Sequence, residues 1–280
     1  MRWAWGATPP MGHRPVRRIS GSHFLPCYSL SEPATIEIIP PRTGWLHLCL
    51  KVSNIVVMKN SWFVSLTSAL LFAGWPAAGG EHAAHDFGKW EREISAFEQT
   101  DRTNPPLKGA HLFIGSSTIR FWKTLAEDFP DHRVINRGFG GSEIVDSTHF
   151  ADRIIFPYQP AKVFLRAGGN DLWAGKSVQQ VFDDFKEFVS KIQAKLPETE
   201  IVFISLSPSI ARWRQADKEK ALNDLVQTFA RNSRRVRFID AWSVPLDNDG
   251  NPRPELFMPD KLHFNPEGYK LLTARVRAAG

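Results

Sequence analysis

The sequence predicts an α/β fold in which a mainly parallel sheet is covered by helices on both faces. From about residue 110 onward, five short apolar segments alternate with amphipathic or capped helical segments. This alternation is typical of βαβ units, whose crossovers bury both faces of the sheet. Right-handed crossovers bring the loops that follow the strands to one edge of the sheet, so the residues in those loops are expected to converge there.

The elements follow from local patterns. A first amphipathic helix is predicted because Trp90, Ile94 and Phe97 recur at helical spacing, and Asn104 with two prolines ends it. The predicted strands are residues 112–115, 133–136, 161–166, 201–206 and 236–239. The later helices are predicted at 118–128, after Ser142 as an N-cap, at 178–196, at 216–232, and from Asn265-Pro266 to about 279.

The segment HLFIGSSTIRFW, residues 111–122, is the most informative stretch. An apolar run ends at Gly115, two serines follow, and a helix is predicted to begin there. A hydroxyl in this place lies at the carboxyl edge of the sheet, where open α/β sheets bind their ligands. The alternative is an ordinary strand-turn-helix junction with one serine capping the helix.

Composition restricts the possible functions. Much of the net charge of +6 comes from residues 1–57, which carry six basic and two acidic side chains. The rest of the chain is nearly neutral, so no nucleic-acid partner is expected. The only cysteines, Cys27 and Cys49, also lie in this segment, which excludes a cysteine nucleophile or a cysteine metal site downstream.

The N-terminal part differs from the rest. Residues 1–57 contain seven prolines and no sustained periodicity, so they are predicted to be a disordered leader or an over-extended reading frame that precedes a true start at Met58. Residues 58–80 have the basic start, short apolar run and small residues of a signal peptide, which predicts an exported, periplasmic or secreted protein. A buried helix or an uncleaved anchor is the alternative. The functional domain is predicted at 81–280.

Four features are predicted at or near the same sheet edge. They are Ser116-Ser117, Gly140-Gly141, the segment 168–171 with Asn170, and Asp260 with His263. A serine needs a base to take its proton, and that base needs an orienting partner. A tetrahedral intermediate also needs N–H donors for its oxyanion. Each feature alone could be a backbone turn or a surface ion pair, but together and in this order they favour an acyl-transfer site.

Four segments resemble the conserved blocks of the SGNH (GDSL-type) hydrolase superfamily. They are FIGSSTIRFW, VINRGFGG, AGGND and PDKLHFNPEGY, and the resemblance covers residues 107–275. It implies a flavodoxin-like, three-layer α/β/α sandwich with a five-stranded parallel sheet. One departure is visible, because Ser116 stands where the superfamily usually has Asp.

The resemblance also implies roles for individual residues. Ser117 corresponds to the nucleophile, His263 to the base and Asp260 to its partner. The N–H groups of Ser117 and Gly141 and the side-chain amide of Asn170 correspond to the oxyanion hole. Because Ser116 and Ser117 are adjacent, only this correspondence selects Ser117.

The expected activity is a serine esterase that works through an acyl-enzyme without a metal or organic cofactor. The resemblance allows small acyl or carbohydrate-linked acetyl esters, lysophospholipids and thioesters, and the lack of an apolar lid favours short acyl groups. A small-molecule or glycan ester is the expected partner, and no stable membrane span is expected. The sequence does not determine the oligomeric state. The alternatives are an acyltransferase to a sugar hydroxyl, a non-catalytic binding module and a flavodoxin-like cofactor binder.

Further residues near the predicted edge could contact a substrate. Arg120 and Arg137 could bind an anion, although salt bridges are the favoured interpretation. Trp173, Trp213 and Trp242 could stack on sugars, although packing is favoured for them.

Overall fold

Residues 85–279 are described in a computed structural model and form a three-layer α/β/α sandwich. All five strands are parallel and lie in the order β2-β1-β3-β4-β5. They are β1 (His111–Gly115), β2 (Val134–Gly138), β3 (Lys162–Arg166), β4 (Glu200–Ile204) and β5 (Val236–Ile239). The predicted fold class is confirmed. The predicted leader 1–57, the predicted signal peptide 58–80 and the first residues of the predicted domain lie outside the described residues.

Nine α-helices occur in this part of the chain. They are α1 (Glu91–Thr103), α2 (Ser117–Arg120), α3 (Leu125–Asp128), α4 (Ile144–His149), α5 (Ala151–Ile154), α6 (Gly169–Trp173), α7 (Val178–Lys195), α8 (Ala216–Arg231) and α9 (Pro266–Ala279). Short 3-10 turns lie at Gly88–Trp90, Phe156–Tyr158, Trp213–Gln215 and Pro254–Leu256. Among residues 85–279, no helix combines the length and apolar character needed to span a bilayer.

The core has two halves, one on each face of the sheet. Side chains alternate along each strand, so neighbouring residues enter opposite halves. Leu112 of β1 packs with residues of α1, α4, α5, α7 and α8, whereas Phe113 packs with residues of α2, α3 and α9. The three central strands, β1, β3 and β4, contribute buried side chains to both halves, which explains why their sequences are apolar runs.

The carboxyl end of β1 requires a glycine. Gly115 pairs with Gly138 of β2 and Arg166 of β3, and its φ is +137°. A Cβ at this position would lie 2.1 Å from the carbonyl oxygen of Arg166. Only glycine permits this close approach, so the chain turns here and leads directly into Ser116 and Ser117.

The prediction of one helix over residues 118–128 is wrong. The chain forms two short helices, α2 and α3, separated by a turn. In the turn, the side chain of Trp122 is buried, and its indole N–H donates to the Asp128 carboxylate at 2.6 Å. Burying this large ring against Phe113 and satisfying its N–H favours the break over a continuous helix.

The prediction of Ser142 as a helix N-cap is also wrong. The cap of α4 is Glu143, which forms a capping box with Asp146. Ser142 lies one residue earlier and is fully buried. Its carbonyl oxygen accepts a hydrogen bond from the side chain of Asn170, so it belongs to the site described below.

Helix α9 starts as predicted and is tied to the first strand-helix junction. The Asn265 side-chain oxygen accepts the backbone N–H groups of Glu267 and Gly268 at 3.0 and 3.1 Å. The Tyr269 hydroxyl donates to the carbonyl of Thr118 in α2 at 2.8 Å. These contacts hold the loop before α9 beside the residues that follow β1.

Candidate active site

Ser117, His263 and Asp260 form one hydrogen-bonded chain. The Ser117 Oγ lies 2.9 Å from His263 Nε2, and His263 Nδ1 lies 2.6 Å from Asp260 Oδ2. Ser117 is the first residue of α2, and the other two lie in the loop before α9. The imidazole is therefore placed between a hydroxyl and a carboxylate, the arrangement in which a histidine can act as a general base.

The Asp260 carboxylate is held as an anion. Its other oxygen accepts the backbone N–H groups of Leu262 and His263 at 2.9 and 3.0 Å. Slight burial disfavours the charge, but the hydrogen bonds from His263 and from these N–H groups lower the pKa of Asp260 to about 2. Lys261 has a φ of +58°, which closes the tight turn that brings Asp260 back onto the imidazole.

The two adjacent serines have different surroundings. Only the Ser117 hydroxyl contacts His263, whereas Ser116 is the N-cap residue of α2 and makes no side-chain cap. The backbone N–H of Ser116 donates to the Arg166 carbonyl at 3.2 Å. The side chain of Ser116 lines the same pocket as Ser117.

Two backbone N–H groups, those of Ser117 and Gly141, are free to bind an anion. Within residues 85–279, neither the N–H of Ser117 nor that of Gly141 donates to another group. Gly141 has a φ of +88° and lies in the turn between β2 and α4. That turn packs closely on α2, since a Cβ on Gly138 would lie 2.2 Å from the backbone nitrogen of Arg120. The turn that contains Gly141 is thus fixed beside α2, the helix that begins at Ser117.

Asn170 lies in the first turn of α6, not in an irregular turn. Its amide nitrogen donates to the carbonyl of Ser142 at 2.9 Å, and its amide oxygen accepts from Arg212 Nη1 at 2.9 Å. An amide nitrogen carries two hydrogens, so one remains for a substrate oxygen. Arg212 therefore fixes which end of the amide faces the site, a role that the sequence did not reveal.

Asp171, the last residue of the AGGND segment, supports the turn behind the site. Its carboxylate is fully buried and accepts the Ile144 N–H at the start of α4 at 3.1 Å. Burial raises the pKa of Asp171 to about 6, although Lys176, 3.5 Å away, and the Ile144 N–H act in the opposite direction.

A small pocket of about 70 Å³ opens beside Ser117 and His263. Among the lining residues that the sequence patterns do not mark are Arg166, Ser207 and Glu219. Arg166 could have been found as a charged residue that ends a buried strand at the active edge. The sequence gives no such indication for Glu219, because nothing local distinguishes it from the exposed acidic residues of the same helix.

Both arginines predicted as candidate anion contacts lie outside this pocket. Arg137 is buried, pairs with Asp101 and donates to the Tyr158 hydroxyl at 2.9 Å. Arg120 packs its guanidinium over the ring of Phe121. No group of three or more His, Cys, Asp or Glu in residues 85–279 could hold a metal ion.

The predicted sugar-stacking tryptophans differ in position. Trp173 ends α6, close to Asn170, and is 43% exposed, with the guanidinium groups of Arg212 and Arg214 over its ring. Trp213 is also exposed but does not line the pocket. Trp242 lines a separate depression beside α8 and β5.

The family follows from the sequence match. Residues 114–271, more than half of the chain, match the model of the GDSL-like Lipase/Acylhydrolase family. The chain belongs to this family of hydrolases, which act on ester bonds. No curated protein matches it in sequence.

Solved structures of similar fold support the same architecture. A Streptococcus pneumonia protein, named provisionally as a platelet activating factor, is 22% identical with a TM-score of 0.61, covering 69% of this chain and 94% of its own. A GDSL-like lipase from Bacteroides thetaiotaomicron is 18% identical with a TM-score of 0.55, and the match covers 69% of this chain and 96% of that protein. An acetyl-xylooligosaccharide esterase from Geobacillus Stearmophilus is 15% identical with a TM-score of 0.51, and the match covers 61% of this chain and 94% of that protein.

Proposed function

We propose that the protein is a serine esterase with Ser117 as nucleophile, His263 as base and Asp260 as the partner that orients it. The observation that carries this proposal is the continuous hydrogen-bonded chain from Asp260 through His263 to the Ser117 hydroxyl. Serine is a weak nucleophile unless a base removes its proton, and this chain provides the base and its orientation.

The geometry suggests a two-step reaction. His263 takes the Ser117 proton as Oγ attacks the ester carbonyl, and it then returns that proton to the leaving alcohol. The oxyanion is stabilised by the N–H groups of Ser117 and Gly141 and by the free amide hydrogen of Asn170. In the second step His263 takes a proton from water as the water oxygen attacks the acyl carbonyl, and it then returns that proton to the Ser117 oxygen, which releases the acid and restores the Ser117 hydroxyl.

The pocket favours short acyl groups. A volume of about 70 Å³ corresponds to room for roughly five water molecules. An acetyl group fits this space, whereas most of a fatty acyl chain would extend into solvent. We therefore propose small acetyl or similar esters, including those carried by carbohydrates, as substrates; one of the proteins of similar fold is named for acetylated xylooligosaccharides.

The two serines provide a matched test of this mechanism. Hydrolysis of p-nitrophenyl acetate should fall about 10⁴-fold or more in kcat/KM for Ser117→Ala, because the nucleophile is lost. Ser116→Ala should retain most of the activity, since the Ser116 hydroxyl makes no contact with His263. Covalent labelling by an organophosphonate should follow the same pattern. Equal loss in both variants, or a loss confined to Ser116→Ala, would refute the assignment of the nucleophile.

We also propose that the protein is exported, on the basis of the signal-like sequence at 58–80. Mass spectrometry of the protein from its native host should find a mature N-terminus close to Ala78, Gly79 or Gly80. Recovery of peptides from residues 1–57 in that material would contradict both the proposed start at Met58 and the proposed cleavage.

A further inference from the structure

Two buried ionisable side chains lie in the wall of the pocket that contains Ser117 and His263. Arg166, the last residue of β3, is 5% exposed, and Glu219, in the first turn of α8, is 6% exposed. Neither belongs to the proposed triad or to the proposed oxyanion hole. The wall of the pocket therefore contains two ionisable groups. A bound hydrocarbon chain would need apolar contacts there instead.

Each of these side chains has a polar atom without a partner. Nη1 and Nη2 of Arg166 donate to the Ser205 carbonyl and the Ser207 hydroxyl, but Nε donates to nothing within residues 85–279. One oxygen of Glu219 accepts from Gln215 Nε2 at 2.7 Å, whereas Oε2 has no partner in the same range. Arg166 and Glu219 do not form a direct ion pair with each other.

Such groups are uncommon in folded proteins. Buried polar atoms are almost always hydrogen-bonded, and exceptions often mark sites where a ligand or water completes the bonding. Burial raises the pKa of Glu219 to about 7, although Gln215 and the guanidinium groups of Arg166 and Arg212 oppose this. The cost of burying these groups is reduced when a bound molecule supplies the missing partners.

The missing partners define the chemistry of the ligand. The Arg166 Nε–H needs an acceptor, and the carboxylate oxygen of Glu219 needs a donor. A hydroxyl group is both, whereas a hydrocarbon chain is neither and would leave both polar atoms without a hydrogen-bond partner. We propose that Arg166 and Glu219 are specificity-determining residues that select a hydroxyl-bearing substrate group. The proposal rests on the esterase function and narrows its substrates to hydroxylated esters.

The selected hydroxyl could belong to either side of the ester, so the test has two arms. The acyl arm compares p-nitrophenyl 3-hydroxybutyrate with p-nitrophenyl butyrate. The alcohol arm compares monoacetylated xylose with cyclohexyl acetate. We expect kcat/KM to be at least about tenfold higher for the hydroxylated ester in one arm, since polar groups left unpaired penalise the analogue that lacks the hydroxyl. That arm identifies the source of the hydroxyl.

Variants then connect the preference to these residues. Glu219→Gln keeps the size of the side chain but replaces one of the two acceptor oxygens by an NH₂ donor. The preference for the hydroxylated ester should therefore fall about fivefold or more, chiefly through KM. Glu219→Leu and Arg166→Met should reduce it further. Asp217→Asn, an exposed carboxylate on the same helix, is the matched control and should keep the wild-type preference.

Two results would overturn the proposal. One is a preference close to unity in both arms for the wild type, and the other is an unchanged preference in folded Glu219→Gln. If Arg166→Met does not fold, as judged by circular dichroism, Glu219→Gln still decides the matter. Ser117-dependent hydrolysis of p-nitrophenyl acetate tests the esterase function separately, so its success with either of these results would reject only the inference.

Discussion

The orientation of the Asn170 amide depends on a residue 42 positions later in the chain. Arg212 donates to the amide oxygen and to the carbonyl of Gly169, which leaves the amide nitrogen facing the Ser142 carbonyl and the site. Without Arg212, rotation of the amide could present its oxygen to the oxyanion. We therefore infer that Arg212 is a positioning residue for the proposed oxyanion hole.

This dependence gives a graded prediction for kcat. Asn170→Ala should lower kcat about 10²-fold or more with little change in KM, because the amide acts mainly on the oxyanion of the transition state. Arg212→Met should lower kcat about tenfold, and Arg212→Lys should recover part of that loss by supplying one donor. Steady-state kinetics on p-nitrophenyl acetate would measure both effects.

Arg214 is the matched control for Arg212. It also stacks on the ring of Trp173, but it makes no hydrogen bond to Asn170. Arg214→Met should therefore leave kcat within about twofold of the wild type. A similar loss of kcat in both arginine variants would instead indicate a general effect of positive charge beside Trp173.

At the scale of elements, Asp171 joins α6 to the start of α4. Its carboxylate accepts the Ile144 N–H, and Lys176 bridges it to Glu143 and Asp184. The turn that carries Gly141 directly precedes α4. The backbone N–H of Gly141, which we propose binds the oxyanion, is therefore supported by a buried carboxylate that does not itself line the pocket.

Removing this support should cost stability. Asp171→Ala leaves the Ile144 N–H without an acceptor, so the free energy of unfolding should fall by about 1–3 kcal/mol in a urea titration. Asp171→Asn keeps an acceptor oxygen and should lose less than half as much. Asp183→Ala, an exposed residue paired only on its own helix, should change stability little. Equal losses of unfolding free energy in Asp171→Ala and Asp171→Asn would show that the charge of the carboxylate stabilises the protein, and not its hydrogen bond from the Ile144 N–H.

The elements also show what the sequence could predict. The sequence predicts the strand ends, α7, α8 and α9 to within two residues because apolar periodicity and Asn265-Pro266 mark them directly. The split between α2 and α3 depends on where the Trp122 ring finds space in the core, and the cap of α4 depends on Asp146 folding back to Glu143. Contacts of this kind are set by the tertiary structure and leave no periodic pattern in the sequence.

The candidate site was predictable to a similar extent. Ser117, Gly141 and Asn170 lie in short local patterns that follow strands, and Asp260 and His263 lie in one that precedes α9. The structure joins Ser117, His263 and Asp260 by hydrogen bonds and places Asn170 in the wall of the same pocket. Arg166 ends β3, as the predicted strand does, and could have been found there. Arg212 and Glu219 line the same pocket through the placement of α8 and of the segment before it, which local patterns cannot specify.

For the whole molecule, Glu219 links stability to pH. Its pKa is raised from 4.5 to about 7, so the folded protein binds a proton more readily than the unfolded chain. The stabilisation associated with this proton is complete below about pH 4.5 and is lost as the pH rises through 7. Glu219→Gln cannot titrate and should lack this dependence.

The difference between wild type and Glu219→Gln isolates this carboxyl. The unfolding free energy of the wild type, relative to the variant, should increase by about 2–3 kcal/mol between pH 8 and pH 5. Other groups, such as His111 with its pKa lowered by burial to about 4, titrate equally in both proteins. Urea titrations at several pH values would measure the difference, and a constant difference would contradict the assignment of the shift to Glu219.

The contact between α9 and α2 has a consequence for when activity should appear. Ser117 and His263 are 146 residues apart in sequence, and the loop that carries His263 is held in place by α9, the last described helix. During synthesis, the proposed nucleophile leaves the ribosome long before the proposed base. We therefore expect a nascent chain to be inactive until α9 has emerged and docked, so recovery of ester hydrolysis during refolding should report the completion of the fold.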